Sequence, residues 1–73
     1  MPRLPGISGQ EFIRAMAKLG YVVDRTRGSH AILHCPGRRP LVVPLHRELK
    51  RGTLRGLIRD AGLIVEEFEE LLR

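Results

Sequence analysis

The sequence has little from which to build a disulfide-stabilised or cavity-rich protein. Its 73 residues include one cysteine, no tryptophan, one tyrosine and two phenylalanines. A lone Cys35 cannot form an intramolecular disulfide or supply a cysteine-based zinc site. A chain of this length buries only about 60% of the surface that its unfolded form exposes. We therefore expect a single domain over residues 1–73, with a thin core and a substrate that lies across the surface.

Long apolar runs are also missing from the chain. No segment approaches the roughly 20 apolar residues of a membrane-spanning helix, and the proline-containing start lacks the apolar run of a signal peptide. An unpaired cysteine suits a reducing compartment. These features predict a cytoplasmic protein without a membrane partner.

Acidic residues are scarce in most of the chain. Residues 1–63 carry twelve lysines and arginines against four acids, a net charge of +8, whereas residues 64–73 carry four glutamates and one arginine, a net charge of −3. A magnesium-dependent nuclease needs several converging carboxylates, so the scarcity of acids argues against this class of enzyme. The sequence also has no glycine-rich phosphate loop and no CxxC or HExxH motif. We expect no metal and no cofactor. The basic body predicts a polyanionic partner such as nucleic acid.

Apolar periodicity and turn residues predict an α+β fold. A capping box at Ser8–Glu11 begins a helix that Gly20 ends. Thr53 is predicted to cap a second helix that ends at Gly62, and Val65–Leu72 is predicted to form a third, which either docks on the core or binds a partner. Between the first two helices, three β-prone runs predict an antiparallel meander: Tyr21–Arg25, Ala31–Cys35 and Leu41–Val43.

Histidines are the remaining candidates for proton transfer near neutral pH. RNA carries its own nucleophile, the 2′-hydroxyl, so a positioned imidazole can assist its cleavage without a metal. Strand alternation places Ala31, Leu33 and Cys35 towards the core and His30 on the opposite, open face. His30 also follows a glycine turn, which allows close approach of a backbone. From spacing alone, an unimportant surface histidine is the favoured interpretation, by about two to one.

Several short motifs, in this order, resemble the HicA (YcfA-like) family of messenger RNA interferase toxins from HicAB toxin–antitoxin systems. They span nearly the whole chain: Gly20–Tyr21, Arg27–His30, Val43–His46, Glu48–Arg55 and Asp60–Leu63. The resemblance implies a double-stranded-RNA-binding-domain-like α-β-β-β-α fold with a short additional C-terminal helix. It also implies endoribonuclease activity on messenger RNA and growth arrest, neutralised by a HicB-like antitoxin that covers the active site.

The resemblance identifies His30, in its Gly-Ser-His motif, as the catalytic residue that serves as base or acid in transesterification. Gly28, Ser29 and His46 are possible auxiliary residues, although His46 is as readily interpreted as making a structural hydrogen bond to its loop. The unpaired amides and dipole at the start of the second helix favour phosphate. Residues expected to bind RNA phosphates there and beside the glycine turn are Arg27, Arg47, Lys50, Arg51, Thr53 and Arg55.

Two departures from the family pattern lie outside this motif. Cys35 occupies a position where the family often has histidine, and His34 lies one position earlier on the opposite face, so we assign His34 no catalytic role. Ile64 stands where a serine or threonine cap is expected, which predicts a late or frayed start for the last helix. A non-catalytic RNA-binding module is the alternative to the toxin. A helix-turn-helix regulator fits less well because the middle of the chain is β-rich.

Overall fold

The computed structural model describes residues 4–73 as three helices and one antiparallel sheet. The elements, in chain order, are α1 (Gly9–Leu19), β1 (Val22–Arg27), β2 (His30–His34), β3 (Leu41–Pro44), α2 (Arg51–Asp60) and α3 (Val65–Leu72). The sheet order is β1-β2-β3. This is the predicted α+β, α-β-β-β-α arrangement with an additional C-terminal helix. Within the described range, no helix is long and apolar enough to cross a bilayer.

Helix α1 begins and ends where the sequence predicts. The Ser8 hydroxyl accepts a hydrogen bond from the Glu11 amide at 3.0 Å, and the Glu11 carboxylate accepts one from the Ser8 amide at 2.9 Å. These bonds, chiefly that from the Ser8 backbone, hold the pKa of Glu11 below its ordinary value. Gly20 ends the helix with a φ of 111°, a left-handed conformation that glycine adopts without a Cβ clash. The predicted capping box is confirmed.

The strands differ slightly from their predicted limits. Strand β1 extends to Arg27, and β2 already starts at His30, because the connection between them is a two-residue turn, Gly28–Ser29. Tyr21 and Cys35 lie just outside the strands but are buried. The predicted alternation along β2 is confirmed, since Ala31 and Leu33 are buried whereas His30 and His34 are exposed.

Helices cover one face of the sheet only. Helices α1 and α2 both contact β3, and α3 packs on α1. Phe68 of α3 stacks on Phe12 of α1 with 5.4 Å between ring centroids, and both rings are fully buried. Because Phe68 is buried in the core, α3 is a core-docking helix, which is one of the two predicted interpretations. The stacked rings stabilise this contact beyond the apolar area that they bury. The opposite sheet face has no covering element among the described residues.

The predicted cap of α2 and the predicted late or frayed start of α3 are both wrong. Helix α2 starts at Arg51, with Lys50 as its N-cap and no side-chain cap, so Thr53 lies exposed inside the first turn. The buried Leu49 fixes this earlier start, because its amide donates to the Ile7 carbonyl at 2.8 Å. Helix α3 starts promptly at Val65 although Ile64 has no polar side chain, since the Glu67 carboxylate accepts the Ile64 amide at 2.9 Å.

Candidate active site

The candidate site is built on the hairpin that joins β1 to β2. Arg27 and His30 face each other as the last residue pair of this ladder, and Gly28–Ser29 connects them. Gly28 has a φ of 58°, which suits a glycine at the first position of a two-residue hairpin turn. A Cβ at Gly28 would meet nothing within 4 Å, so the space above the turn is open. A ligand backbone can therefore approach His30 closely from this side.

His30 lies between a cationic and an apolar neighbour on the open face. It pairs with Arg27 on β1 and with Pro44 on β3. Side chains of directly paired residues share a face, with Cβ atoms roughly 4.5–5.5 Å apart. His30 and Arg27 are both exposed, and neither side chain has a hydrogen-bond partner within residues 4–73. The arrangement presents an imidazole and a guanidinium side by side to solvent.

The loop after β3 is fastened to this hairpin and to the start of α1. The Leu45 amide donates to the Ser29 carbonyl at 2.7 Å, and the Gly9 amide donates to the His46 carbonyl at 3.0 Å. Gly9 also allows a close backbone approach, since a Cβ there would lie 2.1 Å from the Pro44 oxygen. These contacts hold the 45–50 loop beside the His30 end of the sheet.

The side chain of His46 is exposed at this same end of the sheet. Within the described range its imidazole forms no hydrogen bond, and only its backbone carbonyl is bonded, to Gly9. The structure therefore does not support the interpretation in which the His46 side chain braces its loop. The imidazole is left available for contact with a ligand.

The predicted phosphate-binding residues follow the loop into α2 and are all exposed: Arg47, Lys50, Arg51, Thr53 and Arg55. The start of α2 lacks a side-chain cap, so its first amides are free to meet an anion. Across residues 4–73, the only salt bridge joins Arg73 to Glu70, and the basic side chains of α2 are therefore not neutralised by carboxylates. Arg27 lies across the hairpin, on the sheet face.

The open sheet face includes residues that sequence reasoning did not assign to the site. Arg25 pairs with Ile32, which in turn pairs with Val42, so these three residues form a row next to that of His30. Val42 is 53% exposed and Val22, at the far end of β1, is 64% exposed. A β-bulge between Val23 and Arg25 keeps Val22 and Arg25 on one face, and simple alternation could not have predicted this.

His34 shares the open face with His30 but lies at the other end of β2. The two histidines are four positions apart along the strand, which corresponds to about 13 Å. His34 pairs with Val22 and is exposed. The structure thus separates it from the Arg27–His30 pair and from the loop, and His34 offers a natural comparison residue.

Carboxylates do not converge on the site. Glu11 is engaged in the α1 cap, and the Glu48 carboxyl lies against the backbone of Gly6, with its Cδ 3.1 Å from a Cβ placed there. Among residues 4–73, no three histidine, cysteine, aspartate or glutamate side chains come together in a group able to hold a metal ion. The site thus offers imidazoles, guanidiniums and backbone amides as its chemical groups.

Comparisons with known proteins place this architecture in a family. The family described as "HicA toxin of bacterial toxin-antitoxin" matches residues 9–63, from the start of α1 to just before α3. Among solved structures, a chain of a toxin–antitoxin complex from Streptococcus pneumoniae is similar, with a TM-score of 0.70 and 33% identity over 78% of this chain and 98% of that one. The comparison with curated proteins gives no match. The chain therefore belongs to the HicA toxin family of bacterial toxin–antitoxin systems.

Proposed function

We propose that this HicA toxin is an endoribonuclease that cleaves messenger RNA without a metal ion, with His30 as its proton-transfer residue. The observation that carries this proposal is the pairing of His30 with Arg27 on the open face, beside unoccupied space at Gly28. An exposed imidazole beside a guanidinium combines a proton-transfer group with a phosphate-binding charge.

The proposed reaction is transesterification at one phosphodiester. The 2′-oxygen forms a bond to the adjacent phosphorus as its proton leaves, and the bond from phosphorus to the 5′-oxygen breaks as that oxygen gains a proton. The products are a 2′,3′-cyclic phosphate and a 5′-hydroxyl. His30 performs one of the two proton transfers, and His46 at the same end of the sheet is the candidate for the other. Arg27 stabilises the negative charge that develops on the phosphate oxygens.

A substitution pair on one strand tests this role. We expect His30→Ala to lower the cleavage rate by about two orders of magnitude or more, with RNA affinity within a few-fold of wild type. His34→Ala is the matched control, because it removes the same exposed side chain from the same face about 13 Å away. The free energy of unfolding of both variants should lie within about 0.5 kcal/mol of wild type, because substitutions of exposed polar side chains usually change it by no more than this.

Three results would contradict the assignment. Unaltered cleavage by His30→Ala would favour the alternative, a non-catalytic RNA-binding module. An equal loss in His34→Ala would indicate a general effect on the open face. A collapsed melting temperature in His30→Ala would return this residue to a structural role.

The chemistry of the products tests the metal-independent mechanism separately. Cleavage should continue in excess EDTA and leave 2′,3′-cyclic phosphate or 3′-phosphate ends with 5′-hydroxyls. The scarcity of carboxylates near His30 supports this expectation, because a two-metal mechanism produces its nucleophile at ions held by several of them. Products with 5′-phosphates, or activity abolished by chelation, would refute it.

We further propose that the antitoxin is HicB-like and covers the open face. Exposed Val22 and Val42 provide apolar contact beside the cations Arg25 and Arg27, which suits a partner with an acidic rim around an apolar centre. Co-expression should neutralise toxicity through a stable complex, and Val42→Asp should weaken that complex at least tenfold. If the complex leaves the His30 face open to RNA, inhibition does not arise by covering the site.

A further inference from the structure

A second cluster of cations lies at the opposite end of α2 from the candidate active site. Arg38 and Arg39 belong to the turn between β2 and β3, and Arg59 lies in the last turn of α2. Together with Asp60 they line a shallow cleft of about 240 Å³. Strand β3 runs away from this cleft towards the His30 end, and α2 runs back from that end to the cleft, so the whole length of α2 separates the two sites.

The turn that carries these arginines is held in place by two side-chain hydrogen bonds. Arg38 Nη1 donates to the Ala61 carbonyl at 2.7 Å, and the Tyr21 hydroxyl donates to the Arg39 carbonyl at 2.7 Å. Tyr21 is buried, and this burial is the main cause that raises the pKa of its hydroxyl above the ordinary value. The hydroxyl is therefore protonated at neutral pH and can donate this bond. The cluster is consequently preorganised against the C-terminal end of α2.

The charges in this cluster are mostly uncompensated. Arg38 satisfies a carbonyl at the negative end of the α2 dipole, where an anion would otherwise be repelled. Arg39 and Arg59 are exposed, and neither forms an ion pair within residues 4–73. Asp60 lines the same cleft and offsets one of the three positive charges of the cluster. Like charges held together repel unless an anion joins them. Guanidinium groups suit phosphate in particular, since they can bind it through two parallel hydrogen bonds.

A stripe of arginines connects this cluster with the active-site end. Arg51, Arg55 and Arg59 are spaced four residues apart along α2, so they lie on one side of the helix at about 6 Å intervals. The ten residues of α2 span about 15 Å, which corresponds to about four or five phosphates of a stacked strand. The stripe lies on the helical side of the sheet, whereas His30 lies on the open side. A ligand that reaches both must bend around the 45–50 loop, which a single strand does far more easily than a stiff duplex.

We propose that Arg39 and Arg59, held in position through Arg38, form a distal phosphate-binding site for single-stranded RNA. The strand bound at His30 passes the 45–50 loop, follows the arginine stripe of α2 and ends at this cluster. This inference rests on the proposed ribonuclease function and extends it, because it defines the substrate as a single strand that continues for several nucleotides beyond the scissile phosphate.

Binding of a long and a short oligonucleotide tests the distal site. The probes are fluorescein-labelled 2′-O-methyl RNAs of 12 and 4 nucleotides, which lack the 2′-hydroxyl nucleophile and cannot be cleaved during fluorescence anisotropy titrations. We expect Arg39→Ala and Arg59→Ala each to weaken binding of the 12-mer by about three- to tenfold, and to lower the slope of log K against log salt by about 0.7 per lost contact. Affinity for the 4-mer, which cannot span both sites, should remain unchanged.

Arg14→Ala is the matched control. Arg14 is an exposed helical arginine of α1, in a groove against α3, and its loss changes the net charge by the same amount. Equal weakening of 12-mer binding by Arg14→Ala and by the two cluster variants would show a non-specific charge effect and overturn the proposal. Loss of 4-mer binding would place Arg39 and Arg59 in the primary site and overturn it as well. Unaltered RNA binding together with weaker antitoxin binding would assign the cluster to the protein partner instead.

The two proposals can fail separately. If the wild-type protein never cleaves RNA, yet the 12-mer and 4-mer respond as expected, the ribonuclease function is refuted and the distal site stands. If His30→Ala abolishes cleavage while the cluster variants bind the 12-mer like wild type, the distal site is refuted alone. Melting curves of each variant confirm that the comparison concerns folded proteins.

Discussion

Substitution of Gly9 by alanine tests whether the start of α1 positions the active-site end of the sheet. A Cβ at Gly9 would lie 2.1 Å from the Pro44 oxygen, 3.1 Å from the Pro44 carbonyl carbon and 3.2 Å from Leu45 Cα. All three are backbone atoms, so no side chain can rotate away. The Gly9 amide also donates to the His46 carbonyl at 3.0 Å, and this bond is lost if the backbones separate.

The expected cost follows from three contributions. Forcing a methyl group into a packed site costs about 1–3 kcal/mol, and losing the hydrogen bond costs about 1 kcal/mol. The higher helix propensity of alanine offsets up to about 1 kcal/mol. We therefore expect the free energy of unfolding of Gly9→Ala to fall by about 1–4 kcal/mol. For a domain of this size each kcal/mol lowers Tm by roughly 4–8 °C.

Gly52→Ala serves as the control for this substitution. Gly52 lies in the first turn of α2, where a Cβ would meet nothing within 4 Å. Here only the backbone entropy and helix propensity change, so we expect stabilisation of about 0.4–1 kcal/mol. Thermal melting and urea titration of both variants measure the two changes. If Gly9→Ala is as stable as wild type, the close approach of α1 to Pro44 does not hold the His30 end of the sheet in place.

Cleavage by folded Gly9→Ala protein provides a second readout. Pro44 pairs directly with His30 across β2 and β3, so a shift of Pro44 away from α1 changes the position of the imidazole. Misplacement of about 1 Å can cost on the order of 100-fold in rate. We expect a lower cleavage rate at temperatures well below the melting transition. Wild-type activity in a destabilised variant would show that the contact supports stability only.

Three further outcomes are expected. Tyr21→Phe removes the hydroxyl that holds the β2–β3 turn and should lower the free energy of unfolding by about 1 kcal/mol at neutral pH, measured by urea titration; an unchanged midpoint would contradict this role. The pKa of Glu11 is lowered in the folded state by its bonds to Ser8, so its charge stabilises the protein above the unfolded pKa and this contribution disappears as the pH falls through the folded pKa. Thermal melts of Glu11→Gln and wild type should therefore differ at neutral pH and converge in acid, and a constant difference would argue against the cap as its source. Lys50→Ala and Arg51→Ala should each weaken RNA binding and lower the salt slope by about 0.7, whereas an unchanged slope would place the phosphate contacts elsewhere.

Much of the local structure follows from short-range patterns. The capping box at Ser8 and the left-handed Gly20 define α1 through bonds that span three or four residues, so neighbouring residues suffice to predict them. The alternation of β2 places Leu33 in the core and His30 outside because successive side chains of a strand point to opposite faces. The last helix is predicted by its apolar residues, which recur with the period of the helical turn: Val65, Phe68, Leu71 and Leu72.

The prediction for Thr53 failed because a helix start depends on more than the capping residue. The chain enters α2 at Arg51, where the buried Leu49 and its bond to Ile7 fix its direction. Ile7 and Leu49 are far apart in sequence, and no local pattern indicates their contact. The tertiary contact overrides the weak local preference of threonine for the cap.

By itself, the sequence determined the order of elements, the core face of β2 and the basic character of residues 1–63, because these depend on periodicity, capping chemistry and composition. Only the tertiary structure decided which charges meet. It placed Arg27 beside His30 through hairpin register, kept Arg25 on the same face through a bulge, and joined Arg38 to the end of α2. These neighbours are set by long-range packing and backbone bonds between distant residues, which depend on how the elements fill one shared core and not on the residues next to them in the chain.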